Sequence, residues 1–347
     1  MKLKILIAND GYHAHYFIRL GIARVLSYIG HEVIMWEMNK KPVNDAFDDF
    51  NPHIFIGQTY NVDRVMYKAI ADRPYMKVVM KASDWGPIQQ LMDLKKFPVL
   101  TARNDEKDFI LRLKNEIGKP DYCEIHYHEK AIQATHGEWI RNGVPVVSAL
   151  SGADVFEFTK GRYDERFASD LTFIGGYWPY KAEVLDEYLV RLCGRDDLNI
   201  KLFGNSKWPV PEYCGHISEK YTRHALASAK ICPNLHEPHS QKYGYDIVER
   251  PFKLLSNKCF VISDYVEGLV NLIPNGIVYS NDSAEFEKLI YDYINREEDR
   301  KEIAEIGYKA VMAGHTYFHR VADMFNRLGL ETEADECMAK FGEFNAR

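Results

Sequence analysis

The run Asp246-Ile-Val-Glu-Arg-Pro-Phe-Lys-Leu-Leu-Ser-Asn-Lys-Cys-Phe-Val-Ile-Ser-Asp264 sets four charged side chains, Asp246, Glu249, Arg250 and Lys253, just ahead of an apolar stretch. That stretch, Cys259 to Ile262, reads as a buried strand. Pro251 suits the first position of a helix, where a missing N–H costs nothing. A helix start gathers backbone N–H groups, and an adjacent Arg and Lys make it a seat for phosphate. Nothing in a structural core needs four charges at such a place.

Other residues point the same way. Gly175-Gly176 closes an apolar run, and only glycine lets backbone approach a ligand without steric cost. Lys181 follows six residues after Gly175, on a helix start. Arg250 offers a planar fork that can grip a diphosphate in bidentate fashion. The plainer readings are a solvated lysine at 181 and a surface ion pair of Arg250 with Glu249 or Asp246. His236, in Asn234-Leu-His-Glu-Pro-His239, follows a strand and could donate to a phosphate oxygen; a core-satisfied imidazole competes. Near the N-terminus, Asp10, Gly11 and His13 sit after the first strand, and Asp84 and Trp85 follow the strand ending at Lys81. A carboxylate or imidazole there could deprotonate a hydroxyl, although solvated loop residues look much the same. Tyr12, Tyr60 and Trp85 could stack on a ring, as core aromatics also do. His126-Tyr-His128 has no third ligand in view, so no metal site is expected.

The elements that must carry these residues alternate between two periods. Lys4–Ala8 is a strand, Tyr16–Ile29 a helix, Glu32–Glu37 a strand and Asp45–Phe50 a short helix. Strands at 52–57 and Lys77–Lys81 flank a helix at Asp63–Ala71. Val99–Ala102, Tyr122–His126 and Val144–Ala149 complete a parallel sheet of βαβ units. A turn-rich charged stretch, Ser151 to Ser169, marks the domain boundary. Strands then recur at Leu171–Ile174, Ile200–Phe203, Ile231–Asn234, Phe260–Ile262 and Gly276–Tyr279. Helices fall at Lys181–Leu192, Ser218–Ala229 and Ala284–Tyr293, with a last helical region over Glu297–Leu328. The expected division is an N-terminal Rossmann-like domain over 1–160, a C-terminal one over 161–330, and a polar tail over 331–347 that docks or frays. Ligands bind doubly wound sheets at the carboxyl ends of their strands.

Length and composition agree. A chain of 347 residues is long for one domain. With 46% hydrophobic and 27% charged residues it is an ordinary soluble globular composition. No apolar run reaches the roughly 20 residues of a membrane span, and the apolar N-terminal run is too short for a signal peptide. A cytoplasmic protein is expected. The six cysteines form no CxxC pair, which argues against zinc or a disulfide framework. The net charge of −6 argues against coating nucleic acid, yet it is uneven. Residues 1–160 carry 21 Lys and Arg against 20 Asp and Glu, a net of +1, and the rest carry 23 against 30, a net of −7. The first half therefore tolerates an anionic partner better than the total suggests. The first βα turn, Ala8-Asn-Asp-Gly-Tyr-His-Ala-His15, lacks GxGxxG, which lowers a dehydrogenase reading.

Five stretches resemble the retaining glycosyltransferases of GT-B architecture, in particular the branch of spore-maturation CgeB-like proteins. They are Asp170-Leu-Thr-Phe-Ile-Gly-Gly-Tyr-Trp-Pro-Tyr-Lys181, Leu202-Phe-Gly-Asn-Ser-Lys-Trp208, Ala229-Lys-Ile-Cys-Pro-Asn-Leu-His236, Asp246–Asp264 and Gly307-Tyr-Lys-Ala-Val-Met-Ala-Gly-His-Thr-Tyr-Phe-His-Arg320. The resemblance implies two Rossmann-like domains facing a central cleft, with the nucleotide-sugar on the C-terminal one. It assigns Lys181 to the diphosphate and places His216 and Ile217 where this fold presents backbone to a nucleobase. Many retaining members have two glutamates separated by seven residues. Here Lys253 stands near the second acidic position, as it often does in the CgeB-like branch, and Asp246 and Glu249 are the nearby carboxylates. Glu249 is assigned to ribose or sugar hydroxyls.

The expected activity is transfer of a hexosyl or pentosyl group from a nucleoside-diphosphate sugar to a hydroxyl acceptor, with retention. Polysaccharide, metabolite, protein and a hydroxylated DNA base all remain open as acceptor. The chain has no Asp-x-Asp motif, and Arg250 and Lys181 can neutralise a leaving diphosphate, so neither metal nor cofactor is expected. Asp84, His13 and Asp10 are the candidate bases, although in a retaining reaction the leaving phosphate can itself take the proton. The alternative is a catalytically silent nucleotide-sugar binder or scaffold, to which the missing second glutamate points.

Overall fold

The computed structural model describes residues 2–11, 14–82, 106–159 and 161–346. They form two compact units, Met1–Ser151 with Tyr317–Arg347, and Gly152–Thr316.

The first unit is built on a six-stranded sheet of β1 (Lys4–Asn9), β2 (Glu32–Glu37), β3 (Ile54–Gln58), β4 (Lys77–Lys81), β5 (Tyr122–Ile125) and β6 (Val146–Ser148). The order is β2-β1-β3-β4-β5-β6 and every pairing is parallel. Ile5-Leu6-Ile7-Ala8 is buried throughout, as a central parallel strand covered on both faces must be. Ile5 pairs with Val33 on one side and Ile54 on the other. The helix Arg64–Ala71 starts where Asp63 Oδ1 accepts the Met66 N–H at 2.8 Å. The strand expected at Val99–Ala102 lies outside the described residues.

The second unit holds β7 (Ser169–Ile174), β8 (Ile200–Phe203), β9 (Ala229–Asn234), β10 (Val261–Asp264) and β11 (Val278–Ser280), in the order β11-β10-β9-β7-β8 and again all parallel. Its core joins Leu171, Phe173, Leu202, Trp208, Ile231 and Ile262 to Phe286 on the covering helix Ser283–Tyr293. The doubly wound α/β architecture read from the sequence is present in both units.

The division of the chain differs from the expected 1–160, 161–330 and 331–347. The helical region Glu297–Leu328 is two helices, Glu297–Gly314 and Tyr317–Arg327, and the second belongs to the first unit. Its buried face, Tyr317, Phe318, Val321, Ala322, Met324 and Phe325, packs on the first helix, Ala14–Tyr28. A side chain at Gly21 would meet the Tyr317 ring at 2.3 Å, so glycine there is what admits the aromatic. The supposed tail is the helix Glu331–Asn345, which buries Ala334, Cys337 and Phe341, with the Phe341 ring 5.1 Å from that of Phe318. Apolar residues spaced one helical turn apart, hidden among many acidic ones, dock this segment. No helix among the described residues is long and apolar enough to cross a membrane.

Candidate functional site

In the second unit the strand ends converge on a group of polar residues. β7 ends at Ile174, and the next peptide is packed against the turn after β8. Added side-chain atoms at Gly204 would lie 2.3 Å from the Gly175 carbonyl oxygen and 2.9 Å from the Gly176 nitrogen. Gly175 N–H donates to Phe203 O at 2.8 Å, and its own carbonyl accepts from Trp208 Nε1 at 2.9 Å. Glycine at 175, 176 and 204 keeps this corner as bare backbone. Gly204 was missed in the sequence, because its requirement comes from a strand not adjacent in the chain.

Arg250 opens the helix Arg250–Ser256, with Pro251 beside it in the first turn. Its guanidinium lies 4.6 Å over the Phe173 ring, donates from Nη1 to Leu235 O at 3.0 Å, and reaches to 3.3 Å from where a Gly175 side chain would begin. Burial pulls the guanidinium's proton affinity down, and the carboxylates of Glu237, Asp264 and Glu249 push it back up. The surface pairing considered for Arg250 is thus not what it makes: it is held against a ring and a carbonyl. Lys181 stands just ahead of the helix Ala182–Tyr188, and its Nζ is 2.7 Å from Glu237 Oε1. Glu237, which no sequence argument singled out, is therefore the carboxylate shared by the field of both cations.

His236 is buried, 2% exposed, at the end of β9. Its backbone N–H donates to both oxygens of Asp264, at 3.0 and 3.2 Å, and its Nδ1 donates to Oδ1 at 2.8 Å. Gln241 Nε2 donates to the other oxygen at 2.6 Å. Burial would push the Asp264 carboxyl up, but the His236 ring, the Gln241 amide and the His236 backbone amide more than offset it and hold it below the ordinary carboxylate value. The bond at Nδ1 leaves Nε2 as the working nitrogen. Nε2 is buried without a partner among the described residues. Asp264, the final residue of the charged run, thus sets the tautomer of its histidine.

The remaining residues of that run lie close together with other partners. Asp246 accepts from Ser240 Oγ at 2.8 Å. Lys253 donates to Glu249 Oε2 at 3.5 Å one turn along the helix, and its ammonium lies 4.5 Å over the Phe158 ring. His216 is exposed and Ile217 half-buried, on the loop before helix Glu219–Ala227; Gly204 N–H donates to Gly215 O at 3.1 Å and ties that loop to the glycine corner.

In the first unit Asp10 follows β1 and accepts from Gln58 Nε2 and Asn61 Nδ2, each at 3.3 Å. His13 and Asp84, with Tyr12 and Trp85, lie outside the described residues. His126 and His128 do not converge: His128 Nδ1 accepts from the Lys130 N–H at 3.3 Å, whereas the His126 ring stacks on that of His15 with centroids 5.8 Å apart. Among the described residues no three His, Cys, Asp or Glu side chains are grouped to hold a metal ion.

Residues 183–326 match the family described as Glycosyl transferase-like. No curated protein matches the chain. Among solved structures it is similar to a sucrose-phosphate synthase from Thermosynechococcus elongatus, at 10% identity and a TM-score of 0.63, covering 93% of this chain and 97% of that one. It is also similar to an alpha-glucosyltransferase in complex with UDP and a 13-mer DNA containing a HMU base, at 10% identity and a TM-score of 0.64, over 95% and 100% of the two chains. A third is the Anabaena HepE protein in complex with UDP, at 10% identity and a TM-score of 0.59, over 95% and 100%. The fold is GT-B.

Proposed function

We propose that this glycosyltransferase is a retaining enzyme of the CgeB-like branch, moving a hexosyl or pentosyl group from a nucleoside-diphosphate sugar to a hydroxyl acceptor in the cytoplasm. The observation that carries the reading is the placement of Arg250. A guanidinium fixed between the Phe173 ring and the Leu235 carbonyl, beside the bare backbone of Gly175, is preorganised to receive an oxyanion. Lys181 supplies a second positive charge, and the two neutralise a departing diphosphate with no metal or cofactor. The Gly204–Gly215 corner lets the loop of His216 and Ile217 present backbone to the base. Glu249, Asp246 and Lys253 serve ribose and sugar hydroxyls, and His236 Nε2 faces a phosphate or sugar oxygen.

UDP is the diphosphate to try first, because the similar alpha-glucosyltransferase and HepE structures hold UDP. The acceptor's proton goes to Asp10, His13 or Asp84, or to the leaving phosphate itself. A hydroxylated DNA base stays among the acceptor classes because one of the similar structures contains DNA; duplex affinity that falls steeply with salt supports it, and none at low salt removes it.

The test is thermal stabilisation by UDP, GDP, ADP, CDP and dTDP, with wild type beside Lys181→Ala and Arg250→Ala. A ligand at 100 times its dissociation constant adds about 2.7 kcal/mol. One diphosphate that stabilises wild type alone is expected; no response to any of them would sink the reading. Binding of a sugar donor with neither transfer nor slow hydrolysis would favour the silent binder instead.

A further inference from the structure

Two tryptophans meet the glycine corner of the second unit, and they are used in opposite ways. Trp208 is 1% exposed, and its Nε1 donates to Gly175 O at 2.9 Å. The fold itself satisfies that N–H, as it ordinarily does for a buried indole. Trp178 is 39% exposed, yet its ring does not swing out into solvent. Its Nε1 stands 2.5 Å from where a Gly176 Cβ would sit, and Asn205 Oδ1 is 2.7 Å from the same point. That N–H donates to no partner among the described residues. Glycine at 176 is what admits the indole, since any side chain there would have to displace it.

The turn that carries Trp178 is fixed on both sides. Tyr177 N–H donates to Ser206 O at 3.4 Å, and Ser206 Oγ donates back to Tyr177 O at 2.6 Å. Lys181 N–H donates to Trp178 O at 2.8 Å, closing the turn just ahead of the helix Ala182–Tyr188. The indole is thus held over the corner by backbone that is already ordered. An indole N–H can only donate, so whatever satisfies it is an acceptor. The neighbouring cations set the charge of that acceptor. Arg250 Nη2 lies 3.3 Å from where a Gly175 Cβ would sit, one residue from Gly176, and Lys181 stands at the end of the same turn as Trp178. An N–H between two cations suits an oxyanion.

We propose that Trp178 is a further binding residue of the nucleotide site, its indole N–H given to a phosphate oxygen of the nucleoside diphosphate. The inference rests on the reading of Arg250 and Lys181 as the cations of that diphosphate. A hydrogen bond to an ionised phosphate is stronger than one between neutral groups. Because the turn is fixed beforehand, little ordering cost is set against it. Gly176 then serves the ligand indirectly, by giving the indole its place.

The test titrates the full chain with inorganic pyrophosphate and with UDP, or whichever of GDP, ADP, CDP and dTDP stabilises it instead. Binding is read by calorimetry and by tryptophan fluorescence in wild type, Trp178→Phe and Trp208→Phe. Trp178→Phe keeps an aromatic ring and loses the N–H. It should unfold at the wild-type temperature, bind both probes about tenfold more weakly, and lose most of the fluorescence change that the nucleotide causes. Trp208→Phe should instead unfold at a lower temperature, because Gly175 O loses a buried donor. Unchanged affinity for both probes in Trp178→Phe overturns the inference and leaves the diphosphate reading standing. A loss confined to the nucleotide, with pyrophosphate bound as in wild type, also overturns it and moves the indole to the base or ribose. If wild type binds none of the five diphosphates, the diphosphate reading falls and this inference with it.

Discussion

Lys181 Nζ stands 2.7 Å from Glu237 Oε1, with the side chains 26% and 15% exposed. A partly buried ion pair beside a buried guanidinium does more than decorate a surface. The Glu237 carboxylate occupies the field of the two cations proposed to hold the diphosphate, so on that proposal donor and Glu237 compete for it. Glu237→Gln should therefore tighten binding of the nucleoside diphosphate several-fold, while Lys181→Ala weakens it by about tenfold, the worth of one charge-assisted hydrogen bond. Calorimetric titration with UDP checks both; weaker binding in Glu237→Gln would show that the carboxylate holds Lys181 in place instead.

The glycine corner makes a prediction about stability. A methyl at position 204 would meet the Gly175 carbonyl oxygen at 2.3 Å, a backbone atom fixed by Trp208 Nε1 that cannot swing aside. Gly204→Ala should cost about 1–3 kcal/mol through strain and should also impair diphosphate binding. Gly314→Ala is the control, since nothing lies within 4 Å of its added methyl. Urea denaturation of the two variants separates a specific clash from the general effect of adding a methyl group.

Acid should act through Asp264. Its folded-state carboxyl is held below the ordinary value of 3.8, so it contributes stability above that value and loses it as pH falls through the folded one. The acid limb of a stability–pH profile is thus expected to be shallower in Asp264→Asn than in wild type. At neutral pH the variant should be less stable by about 3 kcal/mol, because His236 is left without its buried carboxylate. A variant whose acid limb runs parallel to that of wild type would place the titration elsewhere.

The C-terminal helix is expected to be structural. Phe341 packs on Phe318, and the Phe344 ring is 6.0 Å from both Phe318 and Tyr28. Phe341→Ala should cost about 3 kcal/mol as a buried large-to-small change. Chemical denaturation reads it; a cost near zero would return this segment to the status of a fraying tail.

Much of this was legible in the sequence for simple physical reasons. Parallel strands such as Ile5–Ala8 are apolar on both faces, so they announce themselves as unbroken runs. The run from Asp246 to Asp264 was legible because charge beside a buried strand has few structural uses. What stayed hidden depends on contacts between distant segments. Glu237 gains its meaning from Lys181, 56 residues earlier, and Gly204 from Gly175. The break between the helices Glu297–Gly314 and Tyr317–Arg327 is faint in the sequence because Gly314-His315-Thr316 is a weak break signal, and the return of the second helix to the first unit leaves no trace in local periodicity.

Arg250→Lys tests whether charge alone does the work at this site. A lysine keeps the positive charge but loses the planar face that lies 4.6 Å over Phe173 and the fork that reaches the Leu235 carbonyl. Its ammonium is more strongly hydrated, and burial would push it toward the neutral form. Diphosphate binding should therefore fall by about tenfold or more. The midpoint of thermal unfolding without ligand should move far less, because no buried carboxylate loses its only partner. If Arg250→Lys binds UDP as tightly as wild type, the guanidinium's geometry is irrelevant and the site works as a simple positive patch. If binding fails and activity fails with it, the ring-fixed guanidinium is the part of the protein that meets the departing diphosphate.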